Sequence, residues 1–215
     1  HVVIADRDLA AAEKAAAALK EKGKGRCVAM ACNVAKASDV EALFAAVIKE
    51  FGRVDVLVNN AGYGIAGTVS ETSDEDWDAL MDVNVRVPLE IAHAATEHMA
   101  AHGGGHIVLV GSVAGKTGGT SLTTPPDYSA SKGAVHALVK WMSRNAVGRG
   151  VMVNAVAPGP VRTAMTRNSN MGPTLPLGRM GEAEEIASVV RFLAGPSSTF
   201  LTGQSIQVNG GQMMF

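Results

Sequence analysis

The chain has 215 residues, enough for one domain with a substantial core. Its formal charge of −1, with Lys and Arg scattered, excludes a basic surface for nucleic acid or anionic membrane. Cys27 and Cys32 form no C-x-x-C pair and no disulfide framework, and no apolar run is long enough to cross a bilayer. A cytoplasmic protein is therefore expected, without a signal peptide, a membrane partner or a nucleic-acid partner.

Short apolar runs alternate with helical patterns along the chain. Residues 2–5 read as a strand, and 8–22 as an alanine-rich helix that Gly23 ends. Residues 27–34 are strand-like. Ser38-Asp39-Val40-Glu41 reads as a capping box that starts a helix running to Phe51, with Gly52 at its C′ position. Residues 54–58 form an apolar strand. Residues 74–102 are helical, with Pro88 marking a kink or break. A buried strand at 107–110 leads into a Gly/Thr/Pro-rich loop over 113–126. A helix over 127–148, a strand over 152–157, a helix over 182–193 and a strand at 205–208 complete the series.

Strands that are apolar on both faces belong in a parallel sheet with helices on each side. The β-α alternation predicts an α/β fold, a Rossmann-like doubly wound sheet in a single domain over 1–215. In such a sheet ligands bind beyond the carboxyl ends of the strands. Distinctive residues follow five strands in turn: Asp6, then Asn33, then Asn59-Asn60-Ala61-Gly62, then Ser112, then Pro158-Gly159. Turn chemistry explains any one of these, but not easily all five at one edge.

Within Tyr128-Ser129-Ala130-Ser131-Lys132, Tyr128 and Lys132 are four apart on a helix and share a face. A free phenol titrates near ~10 and is a poor base at neutral pH. A neighbouring ammonium is expected to lower that value and let the pair exchange a proton with a substrate oxygen. Taken alone, Tyr-x-x-x-Lys is usually a solvated helix face; the Ser-bearing strand end upstream and the Pro-Gly downstream favour catalysis.

These segments resemble the short-chain dehydrogenase/reductase family over nearly the whole chain, and the 3-oxoacyl-carrier-protein-reductase-like branch most of all. The resemblance rests on Asn59-Asn60-Ala61-Gly62, Val83-Asn84-Val85, Gly111-Ser112-Val113-Ala114-Gly115 and Tyr128 to Lys132. It extends to Pro158-Gly159-Pro160-Val161-Arg162-Thr163, Leu177-Gly178-Arg179-Met180-Gly181 and the closing run from Thr202 to Gly211. It implies a nicotinamide-dependent oxidoreductase that interconverts a secondary alcohol and a ketone, or reduces a 3-oxoacyl thioester. Tyr128 would be the acid/base. Lys132 would tune it and hold the nicotinamide ribose, Ser112 would hold the substrate oxygen, and Asn84 would fix a water that relays protons to Lys132.

The resemblance also implies cofactor contacts. Asn60, Ala61 and Gly62 would line the adenosine ribose, and Asn33 and Val34 the adenine. Pro158 and Gly159 would border the cofactor, with Val161 and Thr163 flanking its carboxamide. Asn33 and Asn209 stand where the family more often has Asp. Asp6 would accept hydrogen bonds from the ribose hydroxyls and repel a 2′-phosphate, which favours NAD over NADP. Arg7 beside it is the complication, because a guanidinium can receive a phosphate.

The family's Thr-Gly-x-x-x-Gly-x-Gly loop, which cradles the pyrophosphate, is expected before Asp6, so the encoded protein should extend roughly 30 residues before His1, about one βα unit. The absent strand would lie centrally in the sheet. The segment between Met165 and Leu177 is also short for a family substrate loop. Loops 63–70, 113–126 and 164–178 would line a modest, mostly apolar substrate pocket. Partners would be a small-molecule alcohol or ketone and copies of the chain, as a homotetramer or homodimer paired through helices near 84–102 and 127–147, with the apolar tail 213–215 as a second contact. The alternative is a catalytically inactive binding or scaffold protein, which the missing phosphate loop favours and the intact Asn84, Ser112, Tyr128 and Lys132 oppose. No metal is expected. His98 and His102 have a metal-compatible spacing but lack a third ligand and suit a helix C-terminus. His136 is expected merely to pack on its helix.

Overall fold

The computed structural model describes residues 1–214 except 22, 24, 65–67, 120–123, 167 and 168, and except the side chain of Val69. The chain is α/β, and every strand pairing is parallel, as expected. It divides into two compact units, His1–Val54 and Asp55–Phe215.

In the first unit β1 (Val2–Asp6) pairs with β2 (Cys27–Ala31). Helix α1 (Leu9–Lys20) connects them, capped where the Asp8 carboxylate accepts from the Ala11 N–H at 3.0 Å. Helix α2 (Ala37–Phe51) follows β2 and ends on Gly52, whose φ of 80° suits a residue without Cβ. The capping box expected at Ser38 does not form. The helix starts two residues earlier, with Lys36 as N-cap and Ala37 its first residue, and the Asp39 carboxylate turns back to accept from the Asn33 N–H at 3.0 Å, so Ser38 lies inside the first turn.

In the second unit four strands run in the order β3-β4-β5-β6. These are β3 (Val56–Asn59), β4 (Gly105–Val110), β5 (Val151–Pro158) and β6 (Ser205–Val208). Val108 and Val156 face helix α7 (Ala183–Leu193), with Leu193 buried among them. Ile107, Leu109, Val153 and Ala155 point the other way and are equally buried. Helices α4 (Val87–Ala101) and α6 (Pro126–Ala146) pack against β4 and β5. Both faces of the central strands are thus covered, which explains their unbroken apolar runs.

Helix α6 buries Lys132, Val135, His136, Val139, Met142, Ser143 and Ala146, a stripe at spacings of three and four. The same periodicity that builds the core therefore carries Lys132 and His136 inward. The expected break near Pro88 takes a definite form. Helix α3 (Asp74–Met81) passes into α4 through a π-helical turn, Asp82–Arg86, where the Val87 N–H reaches the Asp82 carbonyl. Pro88 has no N–H to return to the Asn84 carbonyl four residues back. The loop expected at 113–126 contains a short helix, α5 (Ala114–Thr117). Among the described residues no helix is long and apolar enough to cross a membrane.

Candidate active site

In the first unit Asp6 ends β1, and its carboxylate accepts from the Asp8 N–H at 2.9 Å. No other side-chain partner of Asp6 is present among the described residues. Asn33 and half-buried Val34 follow β2. The Asn33 side-chain oxygen already accepts from the Ala35 N–H at 3.1 Å, an Asx turn that leaves its amide hydrogens outward.

In the second unit the candidate catalytic residues meet. The Ser112 side chain lies close enough to the Tyr128 hydroxyl to favour its phenolate form. Ser112 lies just past β4, and its hydroxyl oxygen accepts from the Ala114 N–H at 3.1 Å, which leaves its own hydrogen to donate. The Lys132 ammonium donates to the Val110 carbonyl at 2.9 Å and stands 5.8 Å from the centre of the Tyr128 ring.

Asn84 is 1 % exposed on the π turn. Its amide nitrogen donates to the Tyr63 carbonyl at 2.8 Å and to the Ser131 hydroxyl at 3.1 Å, and its oxygen accepts from the Tyr63 N–H at 3.1 Å. Ser131 in turn donates to the Tyr128 carbonyl at 2.8 Å. Asn84 thus ties the segment after β3 to the first turns of α6. Gly62 lies where these groups converge: a Cβ there would stand 3.0 Å from the Asn84 oxygen and 3.3 Å from the Lys132 nitrogen. Asn60 and Ala61 precede it, both facing solvent or partly so.

Farther along the edge, the Pro158 carbonyl accepts from the Val113 N–H at 3.0 Å and so anchors the segment carrying Ser112. The Gly159 N–H donates to the Val208 carbonyl at 3.0 Å. Val161 forms a parallel bridge with Gly181, and the Thr163 N–H donates to the Thr166 hydroxyl at 3.0 Å. A cavity of about 340 Å³ opens beside Thr163, lined by Arg162, Thr166, Ser169 and Met180.

The electrostatics depart from expectation at one point. Lys132 does not pull the Tyr128 phenol below its ordinary value. Burial pushes the phenol up, and the nearby Ser112 side chain only partly offsets this. The ammonium spends a hydrogen on the Val110 carbonyl, and its own burial brings it down to about 8. The result is a phenol that holds its proton at neutral pH beside an amine poised to exchange one.

A stability prediction follows with a definite sign. Between about 8 and its ordinary 10.5, Lys132 has lost its proton in the folded chain but keeps it in the unfolded one. The cost of burying the charged ammonium is therefore full below about 8 and fades as pH rises toward 10.5. Lys132→Met should stabilise the protein relative to wild type near neutrality, and this difference should shrink at the upper end of that range. Urea unfolding of both proteins at the two pH values checks it; a difference independent of pH contradicts it.

Sequence reasoning missed Ser131 and Gly115 as parts of the site, and it missed the bonds that tie Tyr63 to Asn84. A Cβ on Gly115 would stand 2.3 Å from the Lys132 carbonyl carbon and 2.5 Å from the Gly133 nitrogen, so α5 and α6 touch backbone to backbone. The place of Gly115 at the end of Gly111-Ser112-Val113-Ala114-Gly115 was a usable signal, and so was the three-residue spacing of Tyr128 and Ser131. Among the described residues no group of three or more His, Cys, Asp or Glu could hold a metal.

The family described as Enoyl-(Acyl carrier protein) reductase matches residues 1–213. The chain is 39% identical to the 3-oxoacyl-[acyl-carrier-protein] reductase of Synechocystis sp., over 89% of this chain and 78% of that protein. It is 36% identical to the 3-oxoacyl-[acyl-carrier-protein] reductase FabG of Thermotoga maritima, over 83% and 74% respectively. It is 32% identical to the human dehydrogenase/reductase SDR family member 4, over 98% of this chain and 78% of that protein. Among solved structures, one titled "Crystal structure of gox2181" superposes with a TM-score of 0.91 at 30% identity, covering 98% of this chain and 84% of that one.

Proposed function

The chain belongs to the short-chain dehydrogenase/reductase family, and on that premise we propose that it reduces a ketone, or the 3-oxo group of an acyl thioester, to the secondary alcohol and catalyses the reverse oxidation. The observation that carries this reading is the placing of Lys132, buried and bonded to the Val110 carbonyl, 5.8 Å from the Tyr128 ring, with the Ser112 hydroxyl close by and held by the Ala114 N–H. One half-buried proton donor and one oriented hydroxyl converge where a carbonyl oxygen can be received.

The family uses a nicotinamide cofactor, and the second unit fits one at Gly62. The absence of a side chain there leaves space beside the Lys132 ammonium and Asn84, where a ribose could approach the backbone. In the second unit Asn60, Ala61, Gly62, Pro158, Gly159, Val161 and Thr163 would hold the cofactor; in the first unit Asp6, Asn33 and Val34 are the residues the family likeness assigns to it. When bound, it supplies the hydride.

The chain's residues supply the proton and the position. Ser112 donates its hydrogen to the carbonyl oxygen, while the Ala114 N–H holds one of its lone pairs and fixes the hydroxyl in place. Tyr128 gives its proton to the same oxygen as negative charge develops there. Lys132, brought to about 8, replaces that proton at neutral pH. Both side-chain hydrogens of Asn84 are committed to Tyr63 and Ser131, so a relay water would be held by its main-chain carbonyl, which Pro88 cannot serve. Expected partners are a small-molecule substrate and other copies of the chain, as a homotetramer or homodimer.

Assaying oxidation of reduced cofactor with simple ketones, a 3-oxoacyl thioester and an enoyl thioester tests the substrate class. Turnover of either carbonyl class supports the reading, and turnover of the enoyl thioester alone overturns it. For the cofactor, Asp6 favours NAD over NADP, because a carboxylate accepts from ribose hydroxyls and repels a 2′-phosphate. Asp6→Ala should weaken NAD more than NADP, measured as apparent affinities for both. A wild-type preference for NADP contradicts this assignment.

A further inference from the structure

Helix α6 carries a second buried titratable group one turn beyond Lys132. His136 is 7 % exposed, and both its ring nitrogens are engaged. Nε2 lies 2.8 Å from the Ser112 carbonyl oxygen, and Nδ1 lies 3.0 Å from the Ser205 hydroxyl. A carbonyl oxygen only accepts, so Nε2 carries the hydrogen. In the neutral ring Nδ1 is then an acceptor, and the Ser205 hydroxyl donates to it. The ring stays neutral: burial pulls its titration below the ordinary value, and although the bond to Ser112 pulls the other way, Lys116 on α5 and Lys132 and Lys140 on α6 add to the fall.

The contact is built from both sides. A Cβ on Gly111 would stand 2.8 Å from the imidazole Cε1, so the residue before Ser112 must be glycine for the ring to sit there. The Ser112 carbonyl also accepts from the Gly115 N–H at 3.2 Å. Two donors from different helices therefore fix the orientation of one peptide group, and the side chain on that residue is the hydroxyl beside Tyr128.

We propose that His136 is a positioning residue for Ser112, a neutral imidazole that spans from β6 to the Ser112 carbonyl and sets the direction of the Ser112 hydroxyl. This rests on the role proposed above for Ser112. Loss of the ring's two bonds lets the peptide rotate, and displacements of about 1 Å at a reacting centre cost up to ~10²-fold in rate.

The test compares His136→Phe, which keeps a ring but neither bond, with His136→Gln, which restores one donor and one acceptor. Each is made in wild type and in Ser112→Ala. His136→Phe is expected to lower kcat about tenfold or more with cofactor affinity unchanged, and His136→Gln to recover most of it. In the Ser112→Ala background the same change should cost little more, because the group it positions is gone. Wild-type kcat in His136→Phe, with Ser112→Ala inactive, overturns the inference alone. An equal loss in both backgrounds also overturns it, since that marks general packing. Ser112→Ala at wild-type turnover overturns the active-site reading itself. If His136→Phe fails to fold, Ser205→Ala releases only the far end of the ring; a fall in kcat supports the proposal, and an unchanged kcat overturns it.

Discussion

Gly115→Ala is expected to abolish most turnover and to destabilise the protein by at least about 1–3 kcal/mol, the usual cost of overpacking. The added methyl would lie 2.3 Å from the Lys132 carbonyl carbon and 2.5 Å from both the Lys132 oxygen and the Gly133 nitrogen. All three are backbone atoms, which cannot swing aside as a side-chain tip can. Helix α5 must therefore lift away from α6. That motion carries Ala114, whose N–H orients the Ser112 hydroxyl, away from Tyr128 and Lys132. Stability and catalysis should fall together. Gly148→Ala, whose Cβ would meet nothing within 4 Å, is the control and should be neutral. Thermal unfolding and kcat of the two variants check this. A wild-type melting temperature with wild-type turnover in Gly115→Ala contradicts the close contact.

Tyr128→Phe should separate the same two properties. The phenyl ring keeps its place beneath the Lys132 ammonium, 5.8 Å from it, and Ser112 keeps its bond from the Ala114 N–H. Folding and cofactor affinity should therefore hold. What is lost is the proton given to the carbonyl oxygen, and positioned acid/base groups contribute typically ~10²–10⁴-fold. The expected result is a fall in kcat of that order with an unchanged melting temperature and an unchanged cofactor titration. Turnover within a few-fold of wild type removes Tyr128 from the mechanism.

How much of this was legible depends on distance along the chain. Tyr128 and Lys132 could be paired from sequence because four residues on a helix make neighbours by geometry alone. The strand ends that carry Asp6, Asn33, Ser112 and Pro158 could be found because parallel strands are apolar on both faces and stop abruptly. His136 packs on its helix as expected, but its two hydrogen bonds were not legible. Its partners, Ser112 and Ser205, are 24 and 69 residues away, and no local pattern announces them. The π turn at Asp82–Arg86 was visible only as a suspected break at Pro88. Proline marks where the ladder fails, but the register of the repair is set by the packing that buries Asn84. The capping box at Ser38 failed for a related reason. Asp39 found the Asn33 N–H, and that tertiary bond outweighed the local motif.

The balance between Tyr128 and Lys132 was the subtler miss. An ammonium one turn from a phenol should lower it if both are wet. Tyr128 is half-buried and Lys132 buried, and desolvation raises the one and lowers the other. The pair therefore keeps the proton on the phenol, which is what the proposed reduction requires.

The central claim, that the cluster around Tyr128 delivers a proton to a carbonyl oxygen while the adjacent carbon is reduced, is tested most directly by following a label. The full-length protein is supplied with reduced nicotinamide cofactor deuterated at its hydride position, together with a 3-oxoacyl thioester or a ketone, and the product is read by mass spectrometry and NMR. The predicted result is one deuterium on the carbinol carbon in wild type, formed at least about 10²-fold more slowly in Tyr128→Phe. Deuterium on any other carbon, or the same rate in both proteins, contradicts it.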